Sequence, residues 1–474
     1  MTDNFEFTDK LKKNLFIMMG VGLIGLVFTF LLYPENHHAR LWSNLLANTY
    51  YFTGIGLFGL FVVAATQLAY GGWQTLMKRI FLSLSAWVRV SGVLLFLIVL
   101  AGYFGVHTLY DHAKEIIHTN PVPETLTTKV VWFAPAFWFS RLIAYAALWF
   151  GASWYMNKFF ARTDQTDPKV YKQSKLVAAA FIVIFAVTES SASWDYIMSL
   201  DPRWYSTLFG WYNFASYGCA AWGMTILLVI YLKSKGYLPK VNENHVHDLG
   251  KMLFGFSIFW TYLWFSQFML QWYANMPEET SFWINRFDVG YFKFTIFLAL
   301  IINFLFPLLF LIKRGNKRSF KIVGFGAALL IFGHYIDFFN YTFVEANWNA
   351  AAAEHHHEAK LSEKVVFYAQ AENLEKKPVE STDAVVAVEN KEEVTTEVNA
   401  EHHGEAKTHE EHKEGEHEAP VKNFAGIGIG EILIFIGFLG AFLFAFFRNL
   451  AERPITPEND PYLKESEKLT VTYS

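Results

Sequence analysis

Cysteine is almost missing: Cys219 is the single one in 474 residues. That excludes an internal disulfide, a four-cysteine zinc site, a C-x-x-C-H haem attachment and an iron–sulfur cluster ligated by this chain alone. Charge is scarce as well. Only 17% of residues are Asp, Glu, Lys or Arg, where an ordinary soluble domain has about 25%, so a cytosolic enzyme is disfavoured. A formal net charge of −4 gives nucleic acid no electrostatic footing. Apolar residues take the remaining room: 53% of the chain is hydrophobic, with 48 Phe, 23 Tyr and 16 Trp, and the mean hydropathy is +0.22. Such a composition excludes a disordered chain and points to a polytopic membrane protein.

Ten apolar stretches of about 20 residues or more, each long enough to span a hydrocarbon core of about 30 Å as a helix, lie near 14–33, 45–70, 84–105, 130–155, 176–198, 206–232, 252–273, 290–312, 322–343 and 424–447. The alternating segments of about ten residues that mark a transmembrane β-barrel are not seen. The fold expected is therefore all-α, with ten transmembrane helices. The first run ends in Phe30-Leu31-Leu32-Tyr33-Pro34 without a small-residue cleavage site and counts as a helix rather than a leader. Pro135 and Pro307 fall inside spans and should kink them.

Loop charges set the expected orientation. The loops carrying Lys78, Arg79, Lys158, Arg162, Lys169, Lys172, Lys175, Lys233, Lys235, Lys240, Lys251, Lys313, Arg314, Lys317, Arg318 and Lys321 hold 16 basic residues, and Lys10, Lys12 and Lys13 precede the first span on the same side. The opposite short loops carry five: Arg40, Lys114, Lys129, Arg203 and Arg286. By the positive-inside rule both termini are cytoplasmic. The chain divides into a membrane domain over 1–343, a loop over 344–423, a tenth span over 424–447 and a cytoplasmic tail over 448–474. The loop has 19 acidic residues, eight lysines, no arginine and eight of the 16 histidines. Its one sizeable apolar patch, Val365-Val366-Phe367-Tyr368, is too small for a core, so it is expected to be periplasmic and largely disordered or extended. His355-His356-His357 and the run from Glu401 to Glu418 have divalent-metal ligands, but a solvated polyelectrolyte is the plainer reading, and no metal site is assigned.

Seven charges fall within the spans: Arg89, Arg141, Glu189, Asp195, Lys293, Asp337 and Glu431, with His334 among them. Intramembrane charges are costly and are functional candidates by default. Lys293 sits at a span end, where it snorkels; Arg89, near the cytoplasmic end, is open to the same reading. Arg141 lies roughly 16 Å into the fourth span and Glu189 roughly 20 Å into the fifth, which makes Glu189 its expected partner. Two uses of the pair stand side by side, a structural bridge and part of a proton path. His334 and Asp337, three apart, share a helix face, and Glu345 follows two turns beyond Asp337. Glu189, Asp195, Asp337, Glu345 and Glu431 all fall in the outer half of the membrane, as carboxylates and histidines do in proton relays; unconnected structural partners are the alternative. Haem in a bundle needs two axial histidines, and His334 alone lies within an expected span. Trp73, Trp204, Trp211, Trp272 and Trp283 near span ends match an interfacial belt, and the aromatic run Phe259 to Tyr273 in the seventh span reads as packing surface or as the wall of a quinone cleft.

Two long segments carry a resemblance. Glu189-Ser-Ser-Ala-Ser-Trp-Asp-Tyr-Ile-Met-Ser-Leu-Asp-Pro-Arg-Trp-Tyr-Ser-Thr-Leu-Phe-Gly-Trp-Tyr212 and Gln267-Phe-Met-Leu-Gln-Trp-Tyr-Ala-Asn-Met-Pro-Glu-Glu-Thr280 resemble the F subunit of bacterial alternative complex III, a quinol:cytochrome c oxidoreductase, among the polysulfide-reductase-type membrane subunits. The resemblance covers all ten spans. It implies two four-helix bundles, spans two to five and six to nine, flanked by spans one and ten, in the bacterial inner membrane. The partners it implies are a paralogous ten-helix subunit, a periplasmic iron–sulfur protein, c-type cytochromes, small membrane subunits and a terminal oxidase. Haem c and the clusters then belong to those partners, menaquinol is oxidised nearby, and this chain binds no redox centre. The motif residues carried over are Glu189, Asp195, Asp201 and Arg203 from the first segment and Gln267, Gln271, Glu278 and Glu279 from the second. Arg141, His334 and Asp337 come from the polar inventory alone. The expected role is a proton conduit and scaffold without a catalytic residue of its own. The alternatives are a structural anchor for periplasmic cytochromes and a stand-alone secondary transporter, for which Pro135 and Pro307 make a poor matched pair of helix breaks.

Overall fold

In the computed structural model the described residues are 4–118, 127–162, 167–201, 204–287, 290–375, 426–457 and 460–469. They are all-helical apart from an isolated antiparallel bridge between Asn4 and Pro454. The helices are α1 (Asp9–Leu32), α2 (Glu35–Leu68), α3 (Thr75–Tyr103), the short amphipathic α4 (Asp111–His118), α5 (Thr127–Phe133), α6 (Pro135–Arg162), α7 (Pro168–Tyr196), α8 (Leu208–Ser234), α9 (Glu243–Ala274), α10 (Pro277–Phe287), α11 (Gly290–Leu311), α12 (Arg314–Arg318), α13 (Phe320–Glu375), α14 (Ile429–Ala451) and α15 (Leu463–Glu467). Nine of the described helices are long and apolar enough to cross a membrane, and the bent pair α5–α6 makes a tenth when counted as one span. Large side chains face outward along them, among them Leu23, Ile24, Val183, Val187, Phe325 and Tyr273. So much exposed apolar surface belongs in lipid or against partners, in keeping with a membrane protein. One compact unit comprises Met1–Ala353 with Val421–Ser474, and a second comprises Glu354–Pro420.

Local sequence explains the helix ends. Thr8 caps α1 by accepting from Leu11 N, Asp167 caps α7 with Pro168 at its first position, and Asn242 forms a capping box with His245 at the start of α9. At the other end of α9, Asn275 takes the left-handed conformation at φ 50°. Pro135 does more than kink a helix: α5 and α6 meet at 57°, because proline removes a backbone donor and crowds the turn before it. Around Pro307, α11 relaxes into π-helical turns over Ile301–Leu305 and Pro307–Leu311. Several helices extend beyond the apolar runs. Helix α2 starts at Glu35, since its polar positions Ser43, Asn44 and Asn48 are buried and each donates to the carbonyl four residues back, at 2.7, 3.1 and 2.9 Å. Helix α9 starts at Glu243, so His245 and His247 are helical; His245 is held by Asn242 and by the Ser466 carbonyl at 3.0 Å. Helix α13 continues past 343 to Glu375 through the helix-favouring run Ala350 to Ala353, and 376–423 lies outside the described residues.

Burial separates centre from periphery. The most apolar windows of α2 and α8 are 78% and 83% buried, against 22% for α1 and 28% for α9. The two central helices pack on each other through Gly54, which sits against the ring of Tyr217, and Phe58, whose ring lies 5.4 Å from Phe214. Peripheral α1 runs antiparallel to α14 across a seam of small residues: a Cβ on Gly22 would overlap the Cα of Gly437, and one on Gly440 would meet Met18 and the Leu15 carbonyl. The first and last described segments gather at one end of the bundle. Phe5 stacks on Phe447, Glu6 N donates to Tyr237 Oη at 3.1 Å, and Lys78 pairs with Asp460 at 2.8 Å, both side chains buried. The basic pair Lys78 and Arg79 at the start of α3 and the basic segment 233–240 after α8 lie at this same end, where Lys240 reaches Glu467 at 2.6 Å.

Two expectations about aromatics are corrected. Trp204 and Trp283 are buried rather than interfacial: Trp204 stacks on Phe282 at 3.9 Å, and Trp283 donates to Gln271 Oε1 at 2.6 Å. Trp211 and Trp272 do face outward. The α9 aromatics divide by face, with Trp260, Trp264 and Phe268 turned to the core and Tyr262, Phe265, Trp272 and Tyr273 exposed.

Candidate functional site

Away from the end that carries the termini, the buried acids sort into four settings. Asp195, near the C-terminus of α7, is fully buried and saturated. Arg141 donates Nε to Oδ2 at 2.9 Å and Nη2 to Oδ1 at 2.7 Å, Tyr145 Oη donates to Oδ2 at 2.8 Å, and Trp132 Nε1 donates to Oδ1 at 2.9 Å. The guanidinium also stacks on Trp132 at 3.9 Å and Phe137 at 4.3 Å and donates to the Trp132 carbonyl at 2.9 Å. Four donors on two oxygens fix the carboxylate as a hydrogen-bond acceptor in a bidentate ion pair. The expected pairing of Arg141 with Glu189 is therefore wrong, and the bend is the reason. Counting depth from residue 130 treats α5 and α6 as one rod, whereas the break at Ala134 places Arg141 in the second turn of α6, level with the end of α7.

Glu189, one and a half turns earlier on α7, is buried without a cation. Ser190 Oγ lies 3.3 Å from Oε2, and the Tyr217 hydroxyl is the other polar neighbour, without completing a well-aligned hydrogen bond to Oε1. Desolvation of this carboxyl goes unrelieved by any counter-charge, unlike that of Asp195. Glu431 has the opposite setting. At the third position of α14 it accepts from Gly428 N at 2.7 Å, from Arg40 Nε at 2.7 Å and from Asn44 Nδ2 at 3.2 Å. It is at once an N-terminal cap and half of a buried ion pair.

Asp337 lies at the centre of a cluster that, among the described residues, has no cation bonded to its carboxylate. Tyr212 Oη donates to Oδ1 at 2.5 Å, while Ser216 Oγ and Trp260 Nε1 donate to Oδ2 at 3.0 Å each. Tyr212 and Ser216 are one turn apart on α8, so one helix face delivers both hydroxyls. His334, one turn before Asp337 on α13, places Nδ1 3.0 Å from Ser216 Oγ, with its Nε2 buried and without a partner. With Ser216 Oγ–H donating to Asp337, the tautomer of His334 that carries its proton on Nδ1 donates in turn to Ser216, and the two bonds then run in one direction. Gly333, beside this histidine, allows Asn303 of α11 to approach where any side chain would collide.

A small cavity of about 10 Å³ opens beside Asp337, lined by Trp264, Trp283, Arg286, Asn340 and Tyr341, large enough for about one water. Beyond it Arg286 Nη1 sits 2.7 Å from Glu345 Oε1, both side chains nearly inaccessible, and the guanidinium lies 3.3 Å over Phe282. Helices α8, α9, α10, α11 and α13 thus converge on one buried line of polar groups: His334, Ser216, Asp337, the cavity, then Arg286 and Glu345.

The motif residues are placed as follows. Gln267 is buried with neither amide atom hydrogen-bonded, and Gln271 is held by Trp283. Asp201 is buried, with Lys129 among its electrostatic neighbours. Glu279 opens α10, its backbone N bonded to Met276 O at 3.0 Å; the Glu278 side chain and Arg203 lie outside the described residues. Among the described residues no group of three His, Cys, Asp or Glu side chains converges as a metal site requires. Sequence reasoning did not choose Tyr212, Ser216, Trp260 or Arg286 as site residues: Tyr212 only closed the first motif, and Trp260 stood only in the aromatic run of the seventh span. The spacing of Tyr212 and Ser216 was the one available signal, and Arg286 and Arg40 had been counted as loop charges. No known protein-family profile matches the chain, and no curated protein matches it.

Proposed function

We propose that the chain is an F-type integral membrane subunit of a bacterial quinol:electron-acceptor oxidoreductase of the alternative complex III kind, contributing a proton pathway and a scaffold beside menaquinol oxidation and holding no redox centre itself. In this reading ten spans form two four-helix bundles flanked by α1 and α14, both termini are cytoplasmic, and the paralogous subunit, iron–sulfur protein, cytochromes and small subunits supply the electron path. The flanking α1–α14 pair supports that layout. So does the placement of Asp195 and Asp337, each on the last helix of its four-span unit and each accepting from one tyrosine and one tryptophan.

The observation that carries the conduit reading is the directed chain from His334 through Ser216 to Asp337, followed by a water-sized cavity that leads to Arg286 and Glu345. Oxidation of a quinol releases protons that must leave on the outer side. A serine hydroxyl that accepts from one group and donates to the next passes a proton by rotating, without moving the helices. Glu189, buried without a counter-ion, is the second proton-holding group of this reading. Asp195 with Arg141 and Glu431 with Arg40 act instead as struts, which is what the alternative of a purely structural subunit would generalise to every site.

The test uses the assembled complex in proteoliposomes, with turnover and protons released per electron measured for Asp337→Asn, Ser216→Ala and Glu189→Gln. The conduit reading expects lower turnover or proton yield with normal assembly. Full turnover and full proton yield in all three variants would sink it. A change in assembly yield alone favours the structural subunit, and a monodisperse chain that purifies without c-type haem favours the transporter.

A further inference from the structure

At the end of the bundle that carries both termini, a second and larger cavity of about 330 Å³ is lined by Arg79, Arg89, Lys158, Arg453, Glu452, Asn157, Asn449 and Trp154. Four cations thus face one carboxylate. Arg79 is the most informative. Its side chain is nearly inaccessible, its Nη2 donates to the Asn449 carbonyl at 3.2 Å, and its Nε is buried with no partner. Arg89 Nε donates to Ser153 Oγ at 3.2 Å, and Lys158 Nζ lies 5.0 Å over the Trp154 ring. The buried oxygens Asn157 Oδ1 and Asn449 Oδ1 likewise have no donor. Arg453 is already engaged, its Nη1 donating to the Asn157 carbonyl at 3.0 Å, so what the site offers is the unpartnered Arg79 Nε, an excess of cations over carboxylates, and acceptors that want a hydroxyl.

The walls continue toward the middle of the span. On α3, Arg89 is followed at four-residue spacing by Val93 and Leu97; on α6, Lys158 is preceded at the same spacing by Trp154 and Phe150. All four apolar side chains are about half exposed. The two stripes adjoin, because α3 and α6 touch through Arg89 and Ser153 and through the close approach of Gly92 to Ala146. Each stripe begins at a cation of the cavity and descends as apolar surface, the pattern that fits a charged head with chains attached.

We propose that this cavity is a binding site for an anionic phospholipid with a hydroxyl-bearing headgroup, such as phosphatidylglycerol or its diphosphatidyl form. The guanidinium groups hold the phosphodiester, Asn157 and Asn449 accept from the glycerol hydroxyls, and the acyl chains lie along Val93, Leu97, Phe150 and Trp154. Arginine suits a phosphate because its planar fork meets two oxygens at once, and basic pockets between helices at an inner membrane face are where such headgroups bind. Free phosphate satisfies the cations but leaves the two apolar stripes without a role.

Full-length chain in detergent, stripped of lipid, is titrated with phosphatidylglycerol, phosphatidylcholine or inorganic phosphate, and bound lipid is counted by native mass spectrometry. Arg79 supports Asn449 and its loss risks the fold, so the variants are Arg89→Gln and Lys158→Gln, with exposed Lys321→Gln as the control at the same end of the bundle. The expected result is tighter binding of phosphatidylglycerol than of phosphatidylcholine, weakened about tenfold by each cavity variant and unmoved by Lys321→Gln or by millimolar phosphate. Equal binding of the two lipids, equal loss in the control, or displacement of phosphatidylglycerol by phosphate overturns the assignment.

Discussion

Removing Arg141 separates two accounts of how α6 is held against α7. In Arg141→Met the stem volume is largely kept, but Asp195 loses two of its four donors and its only counter-charge while remaining fully buried. Breaking a buried pair from one side costs about 3–5 kcal/mol. Arg141 keeps 12% of its side chain exposed, and Tyr145 and Trp132 still donate to the carboxylate, so the lower end applies: about 3 kcal/mol, or roughly a hundredfold in the folding equilibrium. Asp195→Asn should cost less, since the amide oxygen still accepts from a neighbour. The two changes together should cost less than their sum, with a coupling of about 1–3 kcal/mol. Arg141→Met combined with Glu189→Gln should be additive to within about 0.5 kcal/mol. Unfolding in mixed micelles, titrated with a denaturing detergent, measures all four chains. Coupling between Arg141 and Glu189 with none to Asp195 would falsify the arrangement of the bent α5–α6 pair.

The small-residue seam makes a second prediction: Gly22→Ala should lower the thermal midpoint by the equivalent of about 1–3 kcal/mol through overpacking, whereas Gly20→Ala, facing open space, should not. Equal midpoints for the two variants would rule out the close approach of α1 and α14. His107, in the connection after α3, donates Nε2–H to the Ile98 carbonyl at 2.9 Å and accepts from Leu109 N at 3.3 Å, an arrangement that only the neutral ring allows. Burial accordingly pushes it down to about 4, against an ordinary value near 6.5. Because the folded value is the lower one, its contribution of at most about 3 kcal/mol is complete above pH ~6.5 and is lost as the pH falls toward 4. His107→Gln should remove that slope from the pH dependence of thermal unfolding in detergent, and parallel curves for variant and parent would contradict the buried ring.

Apolar run length made most of the membrane helices legible, because a helix that must face lipid declares itself residue by residue. Helix starts were less visible where buried polar positions look like loop: Arg40, Asn44 and Asn48 read as soluble until Glu431 and Tyr335 are brought against them. The cluster around Asp337 was half legible. His334 and Asp337 announce themselves by a spacing of three on one face, but Tyr212, Ser216 and Trp260 come from other helices, and no local pattern states which helix will be a neighbour. Arg141 was mispaired for a related reason: Pro135 signals a break without telling how far the chain turns. That angle decides whether six residues of helix separate a charge from its partner.

The seam between α1 and α14 has a consequence for how the molecule is made. Helices α1 and α14 stand far apart in the chain, so the glycine face of α1 meets the surface that fits it only after the helices between them have been made. With only 22% of its apolar window buried even in the finished fold, α1 has little else to hold it in register. The pairing of α1 with α14 therefore closes a long stretch of chain, and the bridge between Asn4 and Pro454 joins the same two segments. A chain interrupted before residue 429 lacks the clasp.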